Sequence, residues 1–166
     1  MAPPPTEPIG LQVTRTARVV NRAFDQALAE AGGSLPVWLV LMSLKAQSHR
    51  TQRDLAGAVG IEGPTLTHHL HRMEAAGLVS RTRDPGNRRV QQVALTDEGE
   101  QAFHRLRTAV VAFDRRLRTG LSDADAAALE ALLAQLRGNV VPAGEPTSTS
   151  APSASIPTPT PPEAVS

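Results

Sequence analysis

Between residues 63 and 77 the sequence GPTLTHHLHRMEAAG gathers three histidines, two threonines and one arginine into about four helical turns. At about 100° per residue, with His68 at zero, Leu66, Leu70 and Met73 fall at about 160°, 200° and 140°, one apolar stripe. Thr65, His68, His69 and Arg72 occupy the other side, between about 0° and 100°, while Thr67 borders the stripe and His71 lies about 60° away. No acid stands among them. Such a face can lie against a polyanion and read base edges. Threonine offers a hydroxyl and a methyl, histidine donates to purine N7, and arginine pairs with guanine or phosphate. A solvated helix face would carry the same residues, so the helix alone leaves two readings level.

Other chemistries fit less well. His68 and His71, spaced i, i+3, could form a metal pair, but zinc needs a third ligand on a converging element and Glu74 lies about 120° round the helix. Neither a metal nor a cofactor is expected. Ser34, Ser43, Ser48 and Ser80 sit in no nucleophile elbow, no glycine-rich phosphate loop occurs, and the acids cluster at helix starts, where capping explains them. The sequence therefore predicts no enzyme. Histidine titrates near neutrality, so acidification is expected to strengthen any phosphate contact these histidines make.

Composition narrows the classes further. The 166 residues contain no cysteine, which excludes disulfides, thiolate nucleophiles and Cys-ligated zinc. Aromatics make up 2%, so the core must be Ala, Leu and Val, a mixture that favours helices. Net charge is +1, but residues 51–95 hold six arginines and four acids, an excess of two positive charges, plus three histidines. The opening MAPPPTEPIG lacks a basic stretch followed by an apolar run, and no apolar run approaches bilayer length, so the expected location is the cytoplasm, with no membrane partner.

The elements that must hold this face can be read from stops and caps. Residues 1–8 and 139–166 are Pro, Ser, Thr and Ala with almost no large apolar side chain, and are expected to be disordered. In the unit 9–138, an amphipathic helix over 9–31 carries Leu11, Ala17, Val20, Phe24 and Leu28 and stops at Gly32 and Gly33. Ser34 and Pro36 open a second helix to about residue 47; Thr51 and Asp54 have capping-box spacing for a short third one, closed by Gly60. The helix bearing the histidines is the fourth. Then the period changes: LVSRTR and RVQQVAL, separated by DPGN, read as a hairpin. Thr96 caps a long helix ended by Gly120, and Ser122 with Asp125 caps a last one closed by Gly138.

Two short helices joined by a glycine turn and followed by a hairpin make a winged helix-turn-helix, with a DNA-binding lobe over about 51–95. The fold is mainly α with a small β-hairpin wing, flanked by N- and C-terminal helices whose broad apolar faces call for a second copy. Arg88 and Arg89 follow the hairpin turn, with Arg81 and Arg83 on the first strand. An Arg-tipped projection can reach a narrow minor groove, or be held by an acid such as Asp84. The hairpin tips the balance toward DNA.

Here the residues resemble the MarR family of bacterial regulators. DLAGAVGIEGPTLTHHLHRMEAAGLVSR is similar to its helix-turn-helix, with Leu55, Ala56, Gly60, Leu66, Leu70, Gly77, Leu78, Val79 and Arg81 in the expected places. DPGNRRVQQVALTDEG is similar to its wing, ending in Val93, Leu95, Thr96 and Gly99. The resemblance implies a homodimer on double-stranded DNA, recognition helices in successive major grooves and wings at the flanking minor grooves. It implies a transcriptional regulator, read as a ligand-responsive repressor on a pseudo-palindromic operator. Its DNA-contact residues are Thr65, Thr67, His68, His69, Arg72, Arg88 and Arg89.

Asn87 stands where the family's wing pattern usually has an Asp, which implies a wing held by hydrogen bonds rather than by that ion pair. The resemblance also implies a small-molecule effector, often phenolic or anionic, between the dimerisation helices and the DNA-binding lobe. Trp38 and His49 could border its pocket, although a lone Trp in an Ala- and Leu-rich helix also reads as core. A winged-helix protein-interaction module without DNA binding is the alternative, which the modest net charge permits.

Overall fold

The second helix organises the chain. Its sequence LPVWLVLMSLKA is apolar on nearly every side, so it can be satisfied only at the centre of a lobe. In the computed structural model, which describes residues 7–47, 50–83, 86 and 91–140, it runs Leu35–Ala46 and buries Trp38, Val40, Leu41 and Leu44. We label the helices α1 (Ile9–Glu30), α2 (Leu35–Ala46), α3 (Gln52–Val59), α4 (Gly63–Ala75), α5 (Asp97–Leu117) and α6 (Asp123–Val140). The strands are β1 (Arg50–Thr51), β2 (Val79–Arg83) and β3 (Gln91–Leu95). Helix α2 meets α3, α4, α5 and β3, and the core joins Leu55 of α3, Leu66 and Leu70 of α4, Val79 and Val93 of the sheet and Leu106 of α5.

Caps fall where the short polar residues predict them. Thr51 begins α3, its hydroxyl accepting from the Asp54 amide at 3.1 Å and donating to the Asp54 carboxylate at 2.7 Å. Gly60 closes the helix at φ 65°, a left-handed conformation that a side chain would strain. At α6, Ser122 and Asp125 form a reciprocal box: the Asp125 amide donates to the Ser122 hydroxyl and the Ser122 amide to the Asp125 carboxylate. Those bonds, from the Ser122 side chain first, hold the Asp125 carboxyl below its usual range.

The hairpin wing forms, β2 pairing antiparallel with β3, and β1 adds a third strand in the order β1-β3-β2. Arg50 and Thr51 pair with Val93 and Gln92, a two-residue bridge too short to show a period in the sequence. Gly138 does not close the last helix, which runs through it to Val140; no left-handed turn is formed there, and glycine in a helix costs only about 1 kcal/mol. The terminal stretches expected to be disordered fall mostly outside the described residues.

The chain's two ends are incompletely covered. Phe24 of α1 meets Phe113 of α5 with ring centroids 5.1 Å apart and Leu28 is fully buried, yet Ile9, Leu11, Val13 and Val19 are exposed. Helix α6 buries Ala126 and leaves Leu129, Leu132 and Leu133 open. No single helix among the described residues is long and apolar enough to cross a membrane.

Candidate nucleic-acid interface

Helices α3 and α4 meet across the left-handed Gly60, and the packing of α4 decides which of its residues face out. Leu66 and Leu70 are fully buried and Met73 nearly so, as the periodicity predicts. Thr65, Thr67, His68 and Arg72 are exposed, while His69 is half-buried with its ring 6.1 Å from that of His68. Thr65, His68 and Arg72, at i, i+3 and i+7, form one outward row.

Thr67 is differently placed. Its hydroxyl donates to the Gly63 carbonyl at 2.8 Å and accepts from Nε2 of Gln52 on α3 at 2.5 Å, so it braces the two helices against each other. His71 is turned toward β2, with Nδ1 3.0 Å from Nη2 of Arg81. Arg81 also donates from Nε, at 2.8 Å, and from Nη2 to Oε2 of Glu74. That hydrogen bond is the largest cause holding the Glu74 carboxyl below its usual range; burial opposes it, and the charges of Arg81 and His71 add to it. An ion pair therefore ties the wing's first strand to α4.

Sequence reasoning noted Arg81 but not its partners. Strand alternation was the available signal: Arg81 shares the face of buried Val79, and a cation on an inward face needs an acceptor. Arg88 and Arg89 lie outside the described residues, as do Asn87, Asp84 and His49.

The seat of α5 completes the lobe. The Thr96 hydroxyl donates to the Gly77 carbonyl at 2.5 Å and accepts from the Gly99 amide at 3.0 Å, and the Thr96 amide reaches the Leu78 carbonyl at 3.3 Å. Lys45 of α2 adds bonds of 2.7 and 3.0 Å to the Glu100 carboxylate. The start of α5 is thus fastened to the turn that ends α4.

Trp38 is buried, its ring stacked on Phe103 at 5.6 Å, and serves the core. The open cleft of about 730 Å³ lies elsewhere, between α1 and α5, with Arg105, Arg116, Phe113 and Thr108 on one wall and Glu30 on the other.

Against known proteins, the MarR family model matches residues 34–90. The solved structure of the transcriptional repressor CouR bound to a 23-mer DNA duplex is 30% identical, with a TM-score of 0.72 over 79% of this chain and 93% of that one. The chain belongs to the MarR family. Two further structures share the fold of this MarR-family regulator. The organohalide-sensing regulator RdhR-CbdbA1625 with 2,4-dichlorophenol is 18% identical, with a TM-score of 0.73 over 84% of this chain and 83% of that one. PcaV from Streptomyces coelicolor with its natural ligand is 24% identical, with a TM-score of 0.68 over 83% and 98%. A MarR-family chain is a winged-helix transcriptional regulator, and the row on α4 is its candidate reading surface.

Proposed function

We propose that this regulator is a repressor that binds a pseudo-palindromic operator as a homodimer in the cytoplasm, acting by binding rather than catalysis. The observation that carries the reading is the exposed, acid-free row Thr65, His68 and Arg72 above a fully buried stripe. A helix so arranged enters a major groove without burying a carboxylate against phosphate. His69 flanks the row, Thr67 steadies it from beside Gln52, and Arg88 and Arg89 reach the minor groove from the wing. CouR, bound to duplex DNA and 30% identical, supports this use of the lobe. The exposed leucines of α6 and apolar residues of α1 support a second copy. A small-molecule effector is the remaining partner; the cleft between α1 and α5 offers it two arginines and an aromatic wall, which Trp38 does not.

The test is selection of genomic DNA fragments by the purified protein, in parallel with an Arg88→Ala, Arg89→Ala double variant, with salt titrated. The expected result is enrichment of a pseudo-palindrome with half-sites roughly 34 Å apart, lost in the variant and weakened steeply by salt. A folded dimer that enriches nothing at low salt would overturn the reading in favour of a protein-interaction module.

A further inference from the structure

Arg81 stands at the centre of β2, opposite Val93 of β3, with 14% of its side chain exposed. Its guanidinium reaches two residues one turn apart on α4, the Glu74 carboxylate and Nδ1 of His71. A guanidinium is always charged and only donates. The 3.0 Å contact therefore requires a lone pair on Nδ1 of His71, with the ring proton on Nε2. Both helix residues thus share one cation on the strand, while Nε2 of His71 stays exposed.

We propose that Arg81 is the positioning residue that sets the wing against the recognition helix for operator binding, and that His71 makes this hold proton-sensitive. A proton on Nδ1 removes one of the two acceptors and places a second cation beside the guanidinium; its attraction to the Glu74 carboxylate, smaller than that of Arg81, offsets only part of this. Specific binding is then weakened by acid at this site. This rests on the DNA-binding reading above.

The charged groups on the elements packed against α4 are few among the described residues. Lys45 of α2 is paired with Glu100, Asp54 of α3 is bonded to the Thr51 hydroxyl, and Arg53 of α3 and Arg83 of β2 are exposed. On α4 itself, Glu74 shares the Arg81 guanidinium with His71, while Arg72 and His68 point outward. Arg81 and Glu74 are thus the charges that His71 meets.

Two comparisons test the proposal. Glu74→Arg and Arg81→Glu each place like charges at the contact, and each is expected to weaken operator affinity about tenfold, while the double swap restores it to within about threefold. An Arg81 that contacted phosphate would not be rescued by the swap, and that result would overturn the positioning role. His71→Gln keeps an acceptor that does not titrate. From about pH 7.5 to 5.5 the ratio of wild-type to His71→Gln operator affinity is expected to fall about threefold or more, His68 and His69 being common to both proteins. A ratio that rises on acidification would mean that His71 touches DNA, and a flat one that it does nothing; either overturns the proton-sensitive hold.

Amide hydrogen exchange of the free protein separates this from the function itself. The single charge variants should exchange faster in β2 and β3, and the swap should restore protection, whatever DNA is bound. Unchanged exchange in the single variants would refute the contact while leaving operator binding intact.

Discussion

Gly99 is the position at which this fold tolerates least. A Cβ built there lies 2.0 Å from the Leu78 carbonyl oxygen and 3.2 Å from Cδ2 of Leu95. Carbon and oxygen at rest stand about 3.3 Å apart, so Gly99→Ala must open the junction by about 1.3 Å. The obstacle is backbone, and it is already fixed, because the same carbonyl accepts from the Thr96 amide. Relief would stretch that bond and the one from the Gly99 amide to the Thr96 hydroxyl, about 1 kcal/mol each, on top of about 1 to 3 kcal/mol for overpacking. Alanine's better helix propensity returns less than about 1 kcal/mol in a first turn. The expected net loss is about 2 to 4 kcal/mol, a large share of a total of about 5 to 15. Urea unfolding followed by circular dichroism, at one protein concentration, should show the midpoint lowered by about 1 to 2 M. Gly57→Ala is the control: in the middle of α3 an added Cβ meets nothing within 4 Å, so it should stabilise by about 0.5 to 1 kcal/mol. If Gly99→Ala unfolds within about 0.5 kcal/mol of the wild type, the seat of α5 is not the rigid junction argued here.

Three further outcomes follow from the same geometry. Thr51→Ala removes the cap of α3 and should cost about 1 kcal/mol in urea unfolding. The Glu74 carboxyl is held low in the folded protein, so its contribution is present above the ordinary glutamate value and is lost as pH falls through the lower folded value. The stability difference between wild type and Glu74→Gln should therefore shrink below about pH 4.3, as read by urea titrations across acid pH. Leu132→Lys charges the exposed apolar face of α6 and should shift sedimentation from dimer toward monomer; an unchanged dimer would place the interface elsewhere.

What could be read from sequence was whatever repeats or punctuates. The six helices were visible because caps such as Thr51 and Ser122 and left-handed glycines at 60 and 120 bracket periodic apolar runs. The strand pair was visible through alternation around Val79 and Val93. What escaped has no period. Strand β1 is two residues long and exists only because β3 offers it an edge. Gly138 carries the usual stop signal but has no left-handed turn to satisfy, so the helix continues.

The same division runs through the recognition helix. Helical angle separates Leu66, Leu70 and Met73 from Thr65, His68 and Arg72, because burial against α2 and α3 depends on direction alone. Angle sets His71 only about 60° from His68, and both point away from the core; their roles differ because a guanidinium ten residues further on, across the Gly77 turn, claims one of them. Thr67 is set apart in the same way by Gln52, fifteen residues earlier. A residue's availability to DNA therefore depends on two conditions. The first, exposure, is local and legible; the second, freedom from a partner on another element, is set by how β2 and α3 approach α4. Of the five α4 residues read from sequence as DNA contacts, exposure alone admits Thr67, and the second condition reassigns its hydroxyl to bracing the two helices.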